Sequence, residues 1–258
     1  RMAVSIKSKA EIELMREAGR ILAITHDELA KRVRPGMSTL EVDRIGEEII
    51  RSYGCIPSFL NYNGYPASIC VSINEEVVHG IPSEHRIIQE DDIVSLDAGV
   101  IYKGYHSDAA RTLIMPAVSD EIKELVKITR ECFFEGIKQA VAGNHVIDIG
   151  RAVQKHAEAH GYSVVRDLIG HGVGSKLHED PEVPNFAGLR RGAKLRPGMT
   201  IAVEPMINLG EYDVYWEEDD WTVVTEDGLP SAHYENTILI TEGEPCLLYT
   251  SPSPRDTR

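Results

Sequence analysis

The feature that most limits what this chain can fold into is a set of acidic residues placed inside apolar, strand-like runs. Asp97 follows Ile93, Val94 and Leu96, and Asp108 sits between His106 and the Ala109-Ala110 pair. Glu204 ends the run Ile201-Ala202-Val203, and Glu235 opens a run that continues through Ile238, Leu239 and Ile240. An ionised carboxylate carried into an interior is very costly unless it is paired or binds a cation, and Asp and Glu are almost never buried alone. Four in one chain therefore demand basic partners or metal ions. The 258 residues include only 27 Lys and Arg against 41 Asp and Glu, and few of those cations lie near these runs.

The first pair can be tested for geometry. If residues 93–102 and 105–114 form a hairpin turning at Lys103-Gly104, Asp97 faces Ala110 across the ladder, and Asp108, two residues away, projects from the same face. The two acids are then diagonal neighbours with α-carbons roughly 7–8 Å apart. A matching imidazole lies in Gly170-His171-Gly172-Val173-Gly174, where flanking glycines let backbone approach closely. One His and four carboxylates form a ligand set for two divalent cations, whose charge neutralises the acids. Oxygen-rich ligation with one imidazole favours Mn²⁺, Fe²⁺, Co²⁺ or Zn²⁺ over a thiolate zinc site. Two such ions can activate water and polarise a carbonyl, which is hydrolytic chemistry. His79, in Val77-Val78-His79-Gly80, and His178, just after the glycine-rich loop, are candidates to donate a hydrogen bond to a substrate. His106, His156, His160 and His233 read as surface residues or as supports for the site. The rival reading, an iron site built on His106-x-Asp108, leaves Asp97, Glu204 and Glu235 without a role.

Around these residues the pattern is α+β. Ser8 with Glu11, and Ser38 with Glu41, are capping-box signals for two helices, the first ending before Arg34-Pro35-Gly36 and the second near Gly54. Strand-like runs follow at 67–73, 93–98 and 105–114. Helical patterns then return at about 119–142 and 147–160, with strand-like runs at 163–170, 199–208, 221–225 and 234–241. Two helices and then strands, twice, predict a duplicated architecture in one domain over 1–246, with halves at about 4–115 and 119–246. Residues 247–258 are Ser/Pro/Arg-rich and read as an irregular tail foreign to the fold. A net charge of −14 argues against DNA and anionic membranes as partners. Four scattered cysteines without a CxxC pair suit a reducing, cytoplasmic setting, and no apolar run is long enough for a membrane span.

Taken in order, NEEVVHGIP (74–82), SLDAGVIYKGYHSDAART (95–112), GHGVG (170–174), AVEP (202–205) and AHYENT (232–237) closely resemble the methionine aminopeptidases of the short bacterial type I, over about residues 4–246. The resemblance implies the pita-bread fold of the creatinase/aminopeptidase group, with pseudo-two-fold halves and an antiparallel sheet core covered by helices. It implies a dinuclear centre: Asp108, His171, Glu204 and Glu235 on one metal, Asp97 on the other, with Asp108 and Glu235 bridging. Glu204 would also act as acid and base, His79 would contact the scissile amide region, and His178 the carbonyl oxygen. Phe59, Tyr62, Tyr65, Cys70, Leu177 and Trp221 match the pocket for the methionine side chain, Phe59 and Leu177 departing from the commoner Cys and Phe. Asn74 and Ser231 match a monovalent-cation site (Na⁺ or K⁺). The short span from His171 to Glu204 leaves no room for the helical insert of the second eukaryotic type. The implied function is hydrolysis of the initiator methionine from nascent chains with a small second residue, by a monomer. The alternatives are an Xaa-Pro aminopeptidase of the same fold or a non-catalytic binding relative. For transient ribosome association, the basic cluster legible in the sequence is Arg190, Arg191, Lys194 and Arg196.

Overall fold

The computed structural model describes residues 3–249. Four helices order the chain: α1 (Lys9–Arg32), α2 (Thr39–Ser52), α3 (Asp120–Ile137) and α4 (Val146–Ala159), each pair followed by strands. Their starts are chemical. The Ser8 hydroxyl accepts from the Glu11 N–H at 3.2 Å while the Glu11 carboxylate accepts from the Ser8 N–H at 3.0 Å, the reciprocal box predicted for α1. Ser38 caps α2 by accepting from the Glu41 N–H at 3.2 Å, and Ser119 caps α3 by accepting from the Ile122 N–H.

The main sheet has nine antiparallel strands. From one edge it runs Ile56–Pro57, Ile93–Tyr102, Tyr105–Ile114, Glu235–Leu239, Thr200–Val203, Gly170–Gly172 and Glu179–Val183; Cys70–Ile73 also pairs with Ile93–Tyr102, and Cys246–Leu247 with Glu235–Leu239. The central hairpin turns through Lys103 and Gly104 at φ 47° and 86°, the left-handed pair of a two-residue primed turn. Asp97 pairs with Ala110 and Gly99 with Asp108, which is the register the sequence predicts. Helices α1 and α2 pack on the strands of the first half through Leu22, Leu29, Val42 and Ile50. Helices α3 and α4 pack on each other, Phe133 and Ile149 joining Ile201 and Val203 of the sheet in one buried cluster.

Several predicted runs are shorter or broken, each for a local reason. The 67–73 run becomes strand only at Cys70, because the N–H groups of Ser68 and Ile69 donate to the Asp43 carboxylate at 2.9 and 2.8 Å instead. The 199–208 run splits into Thr200–Val203 and Met206–Asn208 around Glu204-Pro205, since Pro205 has no N–H for a ladder. The 234–241 run starts at Glu235, and Ser231–His233 joins a second sheet of three strands. Helix α3 ends at Ile137 and turns through Gly143 at φ 94°. The expected tail also needs a correction at its near end. Leu247 pairs with Ile238, and the buried Leu248 donates its N–H to the Thr237 carbonyl at 3.1 Å. The chain can lie there because α1 presents Gly19, where any Cβ would overlap the Leu248 carbonyl. Residues 250–258 lie outside the described residues.

Candidate metal centre and substrate pocket

Five neighbouring strands, in sheet order, each deliver one predicted ligand to the same face. Asp97 comes from Ile93–Tyr102, Asp108 from Tyr105–Ile114, Glu235 from the start of Glu235–Leu239, Glu204 from just beyond Thr200–Val203, and His171 from Gly170–Gly172. Ala110 stands between two of them, opposite Asp97 on one side and Glu235 on the other. Ala202 lies opposite His171 in the same way. Both alanines are wholly buried, and their small side chains leave the volume above the sheet to the acids.

His171 anchors the group. Its Nδ1 lies 2.8 Å from the Gly172 carbonyl, to which it donates, leaving the Nε2 lone pair for a cation. That Nε2 is 3.4 Å from Asp108 Oδ2, 3.4 Å from Glu204 Oε1 and 3.9 Å from Glu235 Oε2. Ligands about 2.1 Å from a shared tetrahedral ion stand about that far apart. Asp97 Oδ1, Asp108 Oδ1 and both Glu235 carboxylate oxygens are buried without a hydrogen-bond partner. Orphaned anionic oxygens of this kind are rare in folded proteins, and here they converge, so the residues fit divalent cations. Burial and then the neighbouring carboxylates push the Asp97 and Glu235 carboxyls well above their ordinary range. Burial acts on Asp108 in the same direction, but the His171 imidazole outweighs it and holds Asp108 low. Burial also disfavours the charged form of His171, yet the Asp108 and Glu204 carboxylates raise it.

Two compact donor groups result: Asp108, His171 and Glu235, and beside them Glu204, His233 and Glu235, which shares Glu235. Asp97 belongs to neither but meets Asp108 and Glu235 through its side chain. His233 is closer to the chemistry than its neighbours in sequence suggest, buried with Nε2 3.3 Å from Glu204 Oε2. The signal was its position two residues before Glu235, hidden because the strand breaks at Tyr234 between them. His106 is turned to Ser58, with Nδ1 2.9 Å from the hydroxyl, and joins neither group, so the iron reading on His106-x-Asp108 has no support in the geometry.

A cavity of about 280 Å³ opens onto these residues. All six predicted pocket residues, Phe59, Tyr62, Tyr65, Cys70, Leu177 and Trp221, line it together with His79, His178, Asp97, Asp108, His171 and Glu204. Sequence reasoning missed Asn63, Val78, Leu168, Ile169 and Met206, which also line it. The only signal for the last four was apolar character near a motif, and Asn63 had none beyond its place beside Tyr62. The walls are fixed: the Tyr65 hydroxyl donates to the Ile69 carbonyl at 2.8 Å, and its ring meets Trp221 edge-on at 5.1 Å. Burial, then the Asp97 charge, keeps the Cys70 thiol protonated, so it acts as an apolar wall.

His79 and His178 face the cavity from opposite loops. His79 has φ 61°, a left-handed conformation costly for a side chain of this size and typical of functional positions. Desolvation holds its imidazole below the ordinary range. His178 Nδ1 bonds the Tyr62 hydroxyl at 2.7 Å, and its ring lies 4.0 Å from that of His171, leaving Nε2 for a ligand. Desolvation and then His171 lower its imidazole too. Both are neutral donors or acceptors near pH 7. Asn74 and Ser231 are brought together by the Ser231 N–H donating to the Asn74 carbonyl at 3.0 Å. The Asn74 side chain is spent on Asp92 and the Ile93 N–H, and the Ser231 hydroxyl donates to the Ile207 carbonyl.

This sheet-borne centre, with its histidine and four acids, belongs with what the whole sequence matches: the chain is a member of metallopeptidase family M24, whose model spans residues 13–242. It is 51% identical over 245 residues to a methionine aminopeptidase of Clostridium acetobutylicum, covering 95% of this chain and 98% of that one. Its fold superposes on the crystal structure of a methionine aminopeptidase from Thermotoga maritima with TM-score 0.93 at 42% identity, covering 97% of this chain and all of the other. An Xaa-Pro dipeptidase from Bacillus anthracis is more distant, with TM-score 0.79 and 28% identity, this chain covering 62% of it. Within M24, then, the chain falls with the methionine aminopeptidases and has their pita-bread fold.

Proposed function

We propose that this chain removes an N-terminal methionine from peptides whose second residue is small, using two divalent cations held by Asp97, Asp108, His171, Glu204 and Glu235. The observation that carries the reading is the cavity itself. One small apolar chamber, walled by Tyr62, Tyr65, Cys70 and Trp221, ends against the carboxylate–histidine group. Its volume of about 280 Å³ accepts a flexible thioether side chain, and a side chain seated against those walls would present the first peptide bond to the centre. Two cations, when bound, supply Lewis acidity and lower the pKa of water towards neutrality.

The protein's own groups do the rest. With the acids committed as ligands, the substrate's free amine would find its site at the cation held by Asp97, which confines cleavage to chain ends. Glu204 reaches both His171 and the cavity, and is placed to take a proton from water and pass it to the leaving amine. His178, with Nδ1 tied to Tyr62, turns Nε2 to the carbonyl oxygen where negative charge develops. His79 contacts the scissile amide from the other side, packed edge-on to Trp221 at 6.5 Å between ring centroids. Asp108 and Glu235, whose unpartnered oxygens are free for ligation, would each help to hold both cations. A Na⁺ or K⁺ ion at Asn74 and Ser231 would draw on backbone carbonyls, because both side chains are already bonded. Nascent polypeptides in the cytoplasm, met by a monomer in passing contact with the ribosome, are the substrates this reading implies.

The test is anaerobic hydrolysis by metal-stripped protein given Mn²⁺, Fe²⁺, Co²⁺ or Zn²⁺, with Met-Ala-Ser, Leu-Ala-Ser and Ala-Pro-Ala. Metal-dependent release of methionine alone is expected. Cleavage of Ala-Pro-Ala would move the chain to the proline-specific branch, and no cleavage despite bound metal would make it a binding protein.

A further inference from the structure

The catalytic cavity continues on its outer side. Ile169, His171 and His178 line it and also line a second cavity of about 390 Å³, completed by Glu179, Asp180 and Glu182. Asp180 and Glu182 in turn line a third of about 830 Å³. This outermost space lies between the Glu179–Val183 strand, the start of α4 at Val146 and Ile147, and the loop bearing Phe186, Leu189 and Arg190. Cavities that share walls in this order form one groove, leading from the metal centre past the edge of the sheet.

We propose that this groove binds the substrate chain downstream of the scissile bond, favouring basic residues beside Asp180 and Glu182 and an apolar residue farther out against Phe186 and Leu189. The inference rests on the aminopeptidase reading: once the first residue fills the inner chamber, the shared wall at Ile169, His171 and His178 offers the remaining chain a way out. The charge pattern agrees along the inner part of the groove, Arg190 lining only its outermost cavity. Glu179 is neutralised by Lys7 at 2.8 Å, whereas Asp180 and Glu182 have no ion pair among the described residues. Leu189 is fully exposed at the far end, an apolar contact that a passing chain would cover. Among the described residues the strand Glu179–Val183 is paired on one side only, a sheet edge of the kind that invites strand addition. Pro181 within it and Pro184 just after it have no N–H to offer a strand partner, so the peptide is held mainly by side-chain contacts, which is where its sequence is read.

The experiment compares Met-Ala-Ser with two longer peptides that continue it, Met-Ala-Ser-Lys-Lys-Leu-Ser and Met-Ala-Ser-Glu-Glu-Leu-Ser, on the metal-loaded protein. At low salt, kcat/KM for the Lys peptide is expected to exceed that for the Glu peptide by about fivefold, the scale of one exposed ion pair, and to lose that lead at high salt. Asp180→Asn with Glu182→Gln is expected to bring the Lys/Glu ratio close to one. Leu189→Ser is expected to lower the ratio of long to short peptide. Each readout is a ratio within one variant, so effects on the chemistry divide out. Equal kcat/KM for all three peptides overturns the groove and leaves the aminopeptidase reading intact. Failure to cleave Met-Ala-Ser overturns that reading instead. In that case, fluorescence anisotropy of a labelled Ser-Lys-Lys-Leu-Ser peptide decides: binding lost in the Asp180/Glu182 variant supports the groove, and no binding overturns it.

Discussion

Acid is expected to destabilise this protein through one histidine remote from solvent. His26 on α1 is buried beneath the central hairpin, with Nε2 2.9 Å from the Ala109 carbonyl and Nδ1 buried without a partner. Desolvation, followed by the Arg111 charge, pushes its pKa down to about 3 from the ordinary 6.5. The folded-state pKa therefore lies below the unfolded one. Between those values the unfolded chain binds the extra proton, so stability falls as pH drops through 6.5 and continues to fall towards 3. Linkage with these two pKa values gives almost no loss at pH 8 and about 2 kcal/mol at pH 5, or roughly 4–8 °C in Tm for a chain of this size. Other groups titrate as well, so the informative quantity is a difference. His26→Gln keeps an amide N–H for the Ala109 carbonyl and cannot titrate. Urea denaturation of both proteins across this range is expected to show the wild type losing about 2 kcal/mol relative to the variant by pH 5. Parallel stability curves would refute the reasoning, because His26 would then titrate alike in both states.

Three other outcomes follow from the structure. Lys7→Met leaves the part-buried Glu179 carboxylate beside Gly174 without its ion pair, at a cost of about 1–3 kcal/mol. Urea midpoints measure the loss, and adding Glu179→Leu is expected to recover most of it. Gly19→Ala drives a methyl into the Leu248 carbonyl; a loss of about 1–3 kcal/mol and faster hydrogen exchange at the Leu248 amide are expected, and unchanged exchange would count against the docking of Leu248. Because Asp97 and Glu235 hold protons above the ordinary carboxyl range, cation binding to stripped protein is expected to release protons and to tighten as pH rises. Titration calorimetry in buffers of different ionisation enthalpy reads the release, and identical heats in all buffers would contradict it.

Much of the site is legible in the sequence because its chemistry is incompatible with its surroundings. An acid in an apolar run is a local contradiction, and period-two alternation was enough to put Asp97, Asp108 and Ala110 on one face. Helix starts were legible through Ser8, Ser38 and Ser119, whose hydroxyls act within three residues. What was not legible depends on distant backbone. Ser68 and Ile69 leave the strand because Asp43, far away in the chain, takes their N–H groups. The outer pocket walls Leu168 and Ile169 are ordinary apolar residues until the fold bends them over the metal centre. Leu248 looked foreign because its partner is the empty space above Gly19, and an absent side chain leaves no hydrophobic periodicity to detect.

The delivery of one proposed ligand from each of five adjacent strands also determines when the centre can exist. Asp97 and Asp108 are close in sequence and can meet in an early hairpin, but Glu235 reaches Ala110 only after Glu235–Leu239 has inserted between Tyr105–Ile114 and Thr200–Val203. During synthesis the first hairpin therefore emerges carrying Asp97 and Asp108 without His171, Glu204 or Glu235, and the set closes only when nearly the whole chain has left the ribosome. Partly folded chains lack a complete centre, so hydrolytic capacity would arise in the same step that closes the sheet, and a truncated chain would have none.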